Sequence, residues 1–368
     1  MTHKIKLIIT TLLAVPVVAI AQQGLKDAMG KYCLIGAALN QTESAGLVPK
    51  TTDIVRKHFN SIVAENCMKS EQIQPKEGVF TFDAADDFVR YAEENKLTPI
   101  GHCLVWHSQA PKWFFVDEKG APASREVMAQ RIKTHIATVV GRYKGRIHGW
   151  DVVNEAIEDN GEYRRSPLYN ILGEDFFEIA FKAAHEADPD AELYYNDYSM
   201  AKPGKRAAVC RLVRRLRAAG CRIDGVGMQS HNGMDYPNLK EYETSIDSFA
   251  ACGVKVMMTE LDLNVLPSPK QFGGAAIDQS FEYEKEMNPY KDGLPEEKAR
   301  EIEQRYMQLF DIYYRHREQI ARITLWGVSD ATSWLNGWPI PGRTNYPLLF
   351  DREYKAKPIV DKIIKLYQ

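Results

Sequence analysis

Gly149-Trp150-Asp151-Val152-Val153-Asn154-Glu155 is a short apolar run that breaks off in an amide and a carboxylate. A continuous apolar run of this length fits a strand buried on both faces, because a half-buried strand would alternate instead. It closes the fourth of eight such runs, at residues 33–38, 61–65, 98–104, 147–153, 192–196, 225–229, 255–260 and 322–326. Segments of helical period separate them. Residues 83–95 place Ala85, Phe88, Val89 and Ala92 on one stripe, with Asp86, Arg90 and Glu93 opposite. Residues 125–143, 175–188, 205–219, 239–251 and 295–316 repeat the pattern, and shorter helices are expected at 51–58 and 358–367. Pro295 stands where a helix would begin and Gly220 where one would stop.

Apolar strands alternating with helices imply a parallel sheet covered by helices. Eight units can close an α/β (β/α)8 TIM barrel; a doubly wound open sheet is the competing architecture. The strand ends favour the barrel. Glu65-Asn66, Trp106-His107, Asn154-Glu155, Asn196-Asp197, Gln229-Ser230-His231, Glu260 and Trp326 all fall at carboxyl ends of runs. In a barrel those ends open on one face, where active sites are built. One catalytic domain over residues 22–368 is therefore expected.

The 368 residues carry 47 Lys and Arg against 49 Asp and Glu, a net charge of −2. With no basic excess to neutralise phosphates, a general nucleic-acid binder is not expected. Lys4 and Lys6 precede an apolar run at 7–20 that ends in Ala19-Ile20-Ala21. That is the form of a signal peptide over residues 1–21, so a secreted or periplasmic protein is expected. The run is short for a bilayer span and contains Pro16, so no membrane span is expected after cleavage. Cys33, Cys67 and Cys103 lie in apolar runs and read as small buried hydrophobes. Cys210, Cys221 and Cys252 are left open between free thiols and disulfide partners. There is no C-x-x-C pair, and His102 and His107 are five apart, not at helical metal-site spacing. No metal and no cofactor is expected.

Two carboxylates carry the chemical expectation. Glu155 ends the fourth run, and Glu260 ends Val256-Met257-Met258-Thr259-Glu260 in the seventh. One such Glu alone reads best as a structural ion pair, since an ionised carboxylate resists burial without partners. Two of them, on strand ends facing each other across a barrel mouth, suit glycosidic bond cleavage. One stays neutral and protonates the leaving oxygen, while the other stays ionised and attacks the sugar carbon. A separation of about 5–5.5 Å would make the reaction retaining, and about 6.5–9.5 Å inverting.

Seven blocks in order give the chain a family resemblance. They are Ala64-Glu65-Asn66-Cys67-Met68-Lys69, Gly101-His102-Cys103-Leu104-Val105-Trp106-His107-Ser108-Gln109, Trp150-Asp151-Val152-Val153-Asn154-Glu155, Tyr195-Asn196-Asp197-Tyr198, Gly227-Met228-Gln229-Ser230-His231, Thr259-Glu260-Leu261-Asp262 and Trp326-Gly327-Val328-Ser329-Asp330. From about Ile35 to Tyr367 the sequence resembles the glycoside hydrolase family 10 endo-β-1,4-xylanases. The resemblance implies Glu155 as general acid/base, Glu260 as nucleophile and retention of configuration. It also implies that Glu65, Asn66, Lys69, His102 and Trp106 grip hydroxyls on the non-reducing side. Trp326 and Trp334 would then wall the sugar rings, and Tyr198 would serve the first site on the leaving-group side. Xylan and xylo-oligosaccharides are the implied partners, and a monomer is expected.

The supporting residues follow from position. Asn154 can donate to a sugar 2-hydroxyl. Gln229 and His231, ending the sixth strand beside the seventh, are expected to hold Glu260 ionised by hydrogen bonding. Asp262 lies two residues beyond Glu260, on the same side if the strand continues, and by resemblance pairs with His231. Asp151 either tunes Glu155 by charge repulsion or serves as a cap or a core hydrogen-bonding group. Two places depart from the family pattern: Ser70 stands where many members carry Trp, and residues 264–294 form a long connection after the nucleophile strand. The long loop is expected either to shape the leaving-group side or to pack on the surface. A β-1,4-glucan hydrolase on the same barrel and a non-catalytic carbohydrate-binding protein are the alternatives. Trp334 is the candidate for crowding out the hydroxymethyl group that distinguishes glucose from xylose.

Overall fold

A computed structural model describes residues 23–269 and 280–368. The expected signal peptide lies outside the described residues. Eight strands form the barrel: β1 (Leu34–Leu39), β2 (Ser61–Ala64), β3 (Thr98–Trp106), β4 (Gly149–Asn154), β5 (Glu192–Asp197), β6 (Gly225–Met228), β7 (Lys255–Asn264) and β8 (Ile320–Leu325). Each pairs in parallel with the next, and β8 pairs with β1, which closes the sheet and excludes the open-sheet alternative. All eight expected strands are present. The seventh continues four residues past its expected end, because a short strand at His231–Gly233 pairs with Asp262, Leu263 and Asn264.

The barrel helices are α1 (Pro49–His58), α2 (Asp83–Glu94), α3 (Arg125–Arg142), α4 (Asp175–Ala187), α5 (Pro203–Ala218), α6 (Leu239–Ala251), α7 (Glu296–Arg315) and α8 (Pro358–Tyr367). Their starts are chemically marked. Ser124 and Asn238 accept from the backbone N–H groups of Val127 and Glu241, satisfying donors that the first turn leaves open. The α5 helix begins two residues before the periodic pattern does. Pro203 occupies its first position, where a missing N–H costs nothing. Gly220, just past the end of α5, adopts φ +72°, which glycine tolerates without strain.

Apolar packing divides into two shells. The larger lies between strands and helices; Ile35, Ala37, Ile62, Leu193 and Val226 point outward into it. The smaller fills the barrel interior with Ala38, Val63, Ile100, Tyr194, Met257 and Trp326. Small residues on the inward face make room for polar side chains there. A Cβ on Gly227 would lie 2.3 Å from Asn196 Oδ1, so glycine is what lets that amide reach the centre of the barrel.

Strict two-residue alternation does not survive to the carboxyl ends. Between Asp151 and Val153, two steps along β4 pass against one step of β5. Between Met258 and Leu261, three steps of β7 pass against two of β8. Such bulges re-aim side chains. Here they turn consecutive residues, Asn154-Glu155 and Thr259-Glu260, to the inner side.

Candidate active site

The carboxyl ends of the strands surround a cleft of about 820 Å³. Every residue expected to bind substrate lines it: Glu65, Asn66, Lys69, His102, Trp106, Tyr198, Trp326 and Trp334. Asn154, Glu155, Gln229, His231, Glu260 and Asp262 line it as well.

Glu155 follows β4 with φ +56°, its N–H donating to Asn196 O at 2.9 Å. Its carboxylate receives Gln229 Nε2 at 2.8 Å on Oε1 and Trp106 Nε1 at 2.9 Å on Oε2. Burial pushes its pKa up to about 7, assisted by the charges of Asp197 and Glu260 and opposed by the Gln229 and Trp106 donors. Glu155 is thus a buried acid with an affinity for protons near neutrality.

Glu260 is buried to the same degree and behaves in the opposite way. Burial alone would raise its pKa, yet hydrogen bonding from His231, the electrostatic pull of His102 and His231, and a hydrogen bond from Asn196 lower it below the ordinary glutamate value. His231 Nε2 lies 3.0 Å from Glu260 Oε2, and Asn196 Nδ2 donates to Oε1 at 2.8 Å. Burial disfavours the charged imidazole, but Asp262 and Glu260 overcome this and hold His231 protonated up to about pH 10. Asp262 Oδ2 sits 3.0 Å from His231 Nδ1 and also accepts from Trp334 Nε1 at 2.8 Å. Trp334 in turn stacks on Trp338, with centroids 4.6 Å apart.

Asn154 ties the two halves together. Its Oδ1 accepts from Asn196 Nδ2 at 2.9 Å and from Gln229 Nε2 at 3.4 Å, which leaves its amide NH2 as the group for a ligand. Gln229 is the correction to the sequence reading. Expected to support Glu260, its side chain instead donates to Glu155, while its backbone carbonyl accepts the Glu260 N–H at 2.7 Å. Asp151 takes the core hydrogen-bonding role among its alternatives: Oδ2 pairs with His102 Nδ1 at 2.9 Å, both side chains buried. The charges that raise Glu155 are those of Asp197 and Glu260.

One end of the cleft is built around Lys69, whose Nζ donates to Asn66 Oδ1 at 2.8 Å and Gln109 Oε1 at 2.7 Å. The same ammonium lies 5.1 Å from the Trp106 ring centroid. Burial raises the Glu65 pKa, while the Lys69 charge lowers it. Ser70 is buried in the short helix Ser70–Ile73, and Lys69 is fixed by these amides without a tryptophan at position 70. On the other side of Glu155, Tyr198 accepts a hydrogen bond from Arg164 and lies beneath Lys205 Nζ at 3.8 Å.

Sequence reading missed Asn196, Thr259, Asp197 and Gln109. Asn196 carries the most: it bridges Asn154 and Glu260, with its own Oδ1 held by Thr259 Oγ1 at 2.6 Å. Its place at a strand end was visible; its reach past Gly227 was not. Of the long loop, Asn264 and Ser268 line the cleft, and Lys270–Gln279 lie outside the described residues. Among the described residues no cluster of metal-ligating side chains occurs, and no helix is long and apolar enough to cross a membrane.

Known proteins match nearly the full chain in sequence and in fold. The model of glycosyl hydrolase family 10 matches residues 24–366. An endo-1,4-beta-xylanase A of Xylanibacter ruminicola is 57% identical over 359 residues, 97% of each chain. A family 10 endoxylanase retrieved from a sugarcane soil metagenome superposes with a TM-score of 0.89 at 45% identity, covering 93% of this chain and all of that one. A Paenibacillus barcinonensis xylanase solved with a conduramine derivative gives 0.83 at 38% identity, over 94% and 99% of the two chains. The chain belongs to glycosyl hydrolase family 10.

Proposed function

We propose that the protein is an endo-β-1,4-xylanase that cleaves xylan and xylo-oligosaccharides with retention, Glu155 acting as acid/base and Glu260 as nucleophile. One observation carries the assignment of roles: two buried carboxyls in one hydrogen-bonded network have pKa values driven apart, Glu155 up to about 7 and Glu260 down. In the first step the Glu260 carboxylate attacks the sugar carbon while protonated Glu155 delivers its proton to the departing oxygen. Asn154 donates to the 2-hydroxyl as charge develops on the ring. Forming the glycosyl ester removes the negative charge of Glu260, one of the causes that raised Glu155. The Glu155 pKa falls, so having given up its proton it stays ionised and can take one from the incoming water in the second step.

The polar groups around Lys69 grip the non-reducing side, and Trp326 and Trp334 pack against sugar faces. Names of relatives support xylan over cellulose; the test is reducing-sugar release from both polymers, with release from cellulose alone refuting the assignment. The 1–21 segment supports export, checked by the N-terminal sequence of the protein recovered from culture fluid or periplasm, and a monomer is proposed for the mature enzyme, checked by its mass in solution.

Two further outcomes are expected. His231→Gln removes the cation beside Glu260, so the Glu260 pKa rises. The acidic limb of kcat/KM then moves to higher pH, with about a 10–100-fold loss at the optimum; an unmoved limb would remove His231 from this role. Shortening residues 264–294 should change product lengths on xylan and spare cleavage of an aryl xyloside. Loss of both activities would assign the loop to folding instead.

A further inference from the structure

Outside the cleft, two thiols meet between neighbouring helices. Cys210, on α5, turns its thiol to the last turn of α6, where Sγ donates to the Ser248 carbonyl oxygen at 3.7 Å. Cys252 directly follows that helix, one turn on from Ser248, which places it beside the carbonyl that the Cys210 thiol meets. Arg217, two turns along α5 from Cys210, fixes the register between the elements. Its guanidinium donates to the carbonyl oxygens of Cys252 and Gly253, the latter at 2.7 Å. Cys210 is buried, whereas Cys252 is partly open to solvent and provides a point of entry. Nothing in the hydrolytic chemistry uses either residue.

We propose that Cys210 and Cys252 form a disulfide when the protein meets a disulfide donor, tying α5 to the end of α6. The Cys252 thiolate attacks one sulfur of the donor and releases a donor thiolate, leaving a mixed disulfide on Cys252. Cys210 loses its proton, attacks the Cys252 sulfur and expels the second donor thiolate. Two protein thiols give up two protons and two electrons, and one donor disulfide becomes two thiols. Burial and then the neighbouring Cys252 push the Cys210 thiol up to about 12, and Arg214 and Arg206, one turn to either side, partly oppose them. The closed loop contains β6, Gln229 and His231, so the bond restrains the segment that supports both catalytic carboxyls. It depends only on the donor and not on the assigned hydrolytic activity.

The test is incubation of the folded, reduced full chain with oxidised glutathione, followed by thiol titration in denaturant and mass mapping of a non-reduced digest. The expected result is a Cys210–Cys252 cross-linked peptide, four of the six thiols still titrating, and a Tm raised by roughly 2–5 °C. Cys210→Ser should stop at a glutathione adduct on Cys252. The proposal is overturned if wild type also stops at that adduct, if all six thiols persist, or if Cys210→Ser still loses two thiols.

Discussion

Glu260→Ala is expected to lower kcat on xylan by roughly 10⁴-fold or more, because it removes the carboxylate proposed to form the glycosyl ester. The loss should extend to activated aryl xylosides, since no leaving group compensates for a missing nucleophile. Substrate binding should change little, because the Lys69 cluster and the tryptophan walls are untouched. The space left by the carboxylate also offers a specific check. A small anion such as azide can enter and attack the sugar carbon from the same side, giving a product of inverted configuration. Kinetics with azide, followed by product stereochemistry, read this directly. Near-full activity of the variant without azide would eliminate Glu260 as nucleophile.

Glu155→Ala should divide substrates by leaving group. On xylan, where the departing oxygen needs a proton, kcat/KM is expected to fall by about 10²–10⁴-fold. On an aryl xyloside with an acidic phenol the first step should be nearly spared, and the glycosyl-enzyme should accumulate because water lacks its base. The pH profile gives a second reading. Wild type needs Glu155 protonated, so activity declines as pH rises through about 7, and this alkaline limb should vanish in the variant. Stability follows the same sign. A carboxyl whose folded pKa is raised contributes stability that is complete below the ordinary glutamate pKa and lost as pH rises through about 7. The amount is on the order of 3 kcal/mol, so Glu155→Gln should melt higher than wild type above pH 7. Equal losses on both substrate types would remove Glu155 from the proton-donor role.

Much of this was legible in the residues because strands and helices announce themselves by period. The eight apolar runs located β1–β8, and the helical stripes located α1–α8, within a few residues at their ends. Polar residues placed after apolar runs located the cleft. Side-chain direction inside the barrel was the harder part. Gln229 neighbours Glu260 along the sheet, which is why it was assigned there; its side chain reaches instead to Glu155, a contact no strand order reveals. Asp151 was uncertain because the β4 bulge lies just beyond it, so counting by twos from Glu155 gives the wrong company. Asn196 was overlooked because its importance depends on the absence of a side chain at Gly227, on a different strand.

In both strands that lead to the two carboxyls the register shifts shortly before the carboxyl, in β4 against β5 and in β7 against β8. In evolutionary terms, the chain's lengths at these two points are under a constraint that substitution counts do not register. Deleting one residue at either shift would rotate the carboxylate toward the helix side. Such a lineage would keep a folded barrel and a sound melting transition while losing hydrolysis altogether. Changes of length after Asn264 act instead at the rim of the cleft, where Asn264 and Ser268 lie, and leave the two carboxyls in place. Inherited changes of length should therefore collect in the loops and stay out of the two strands, and a relative that broke this pattern would be a carbohydrate binder descended from an enzyme.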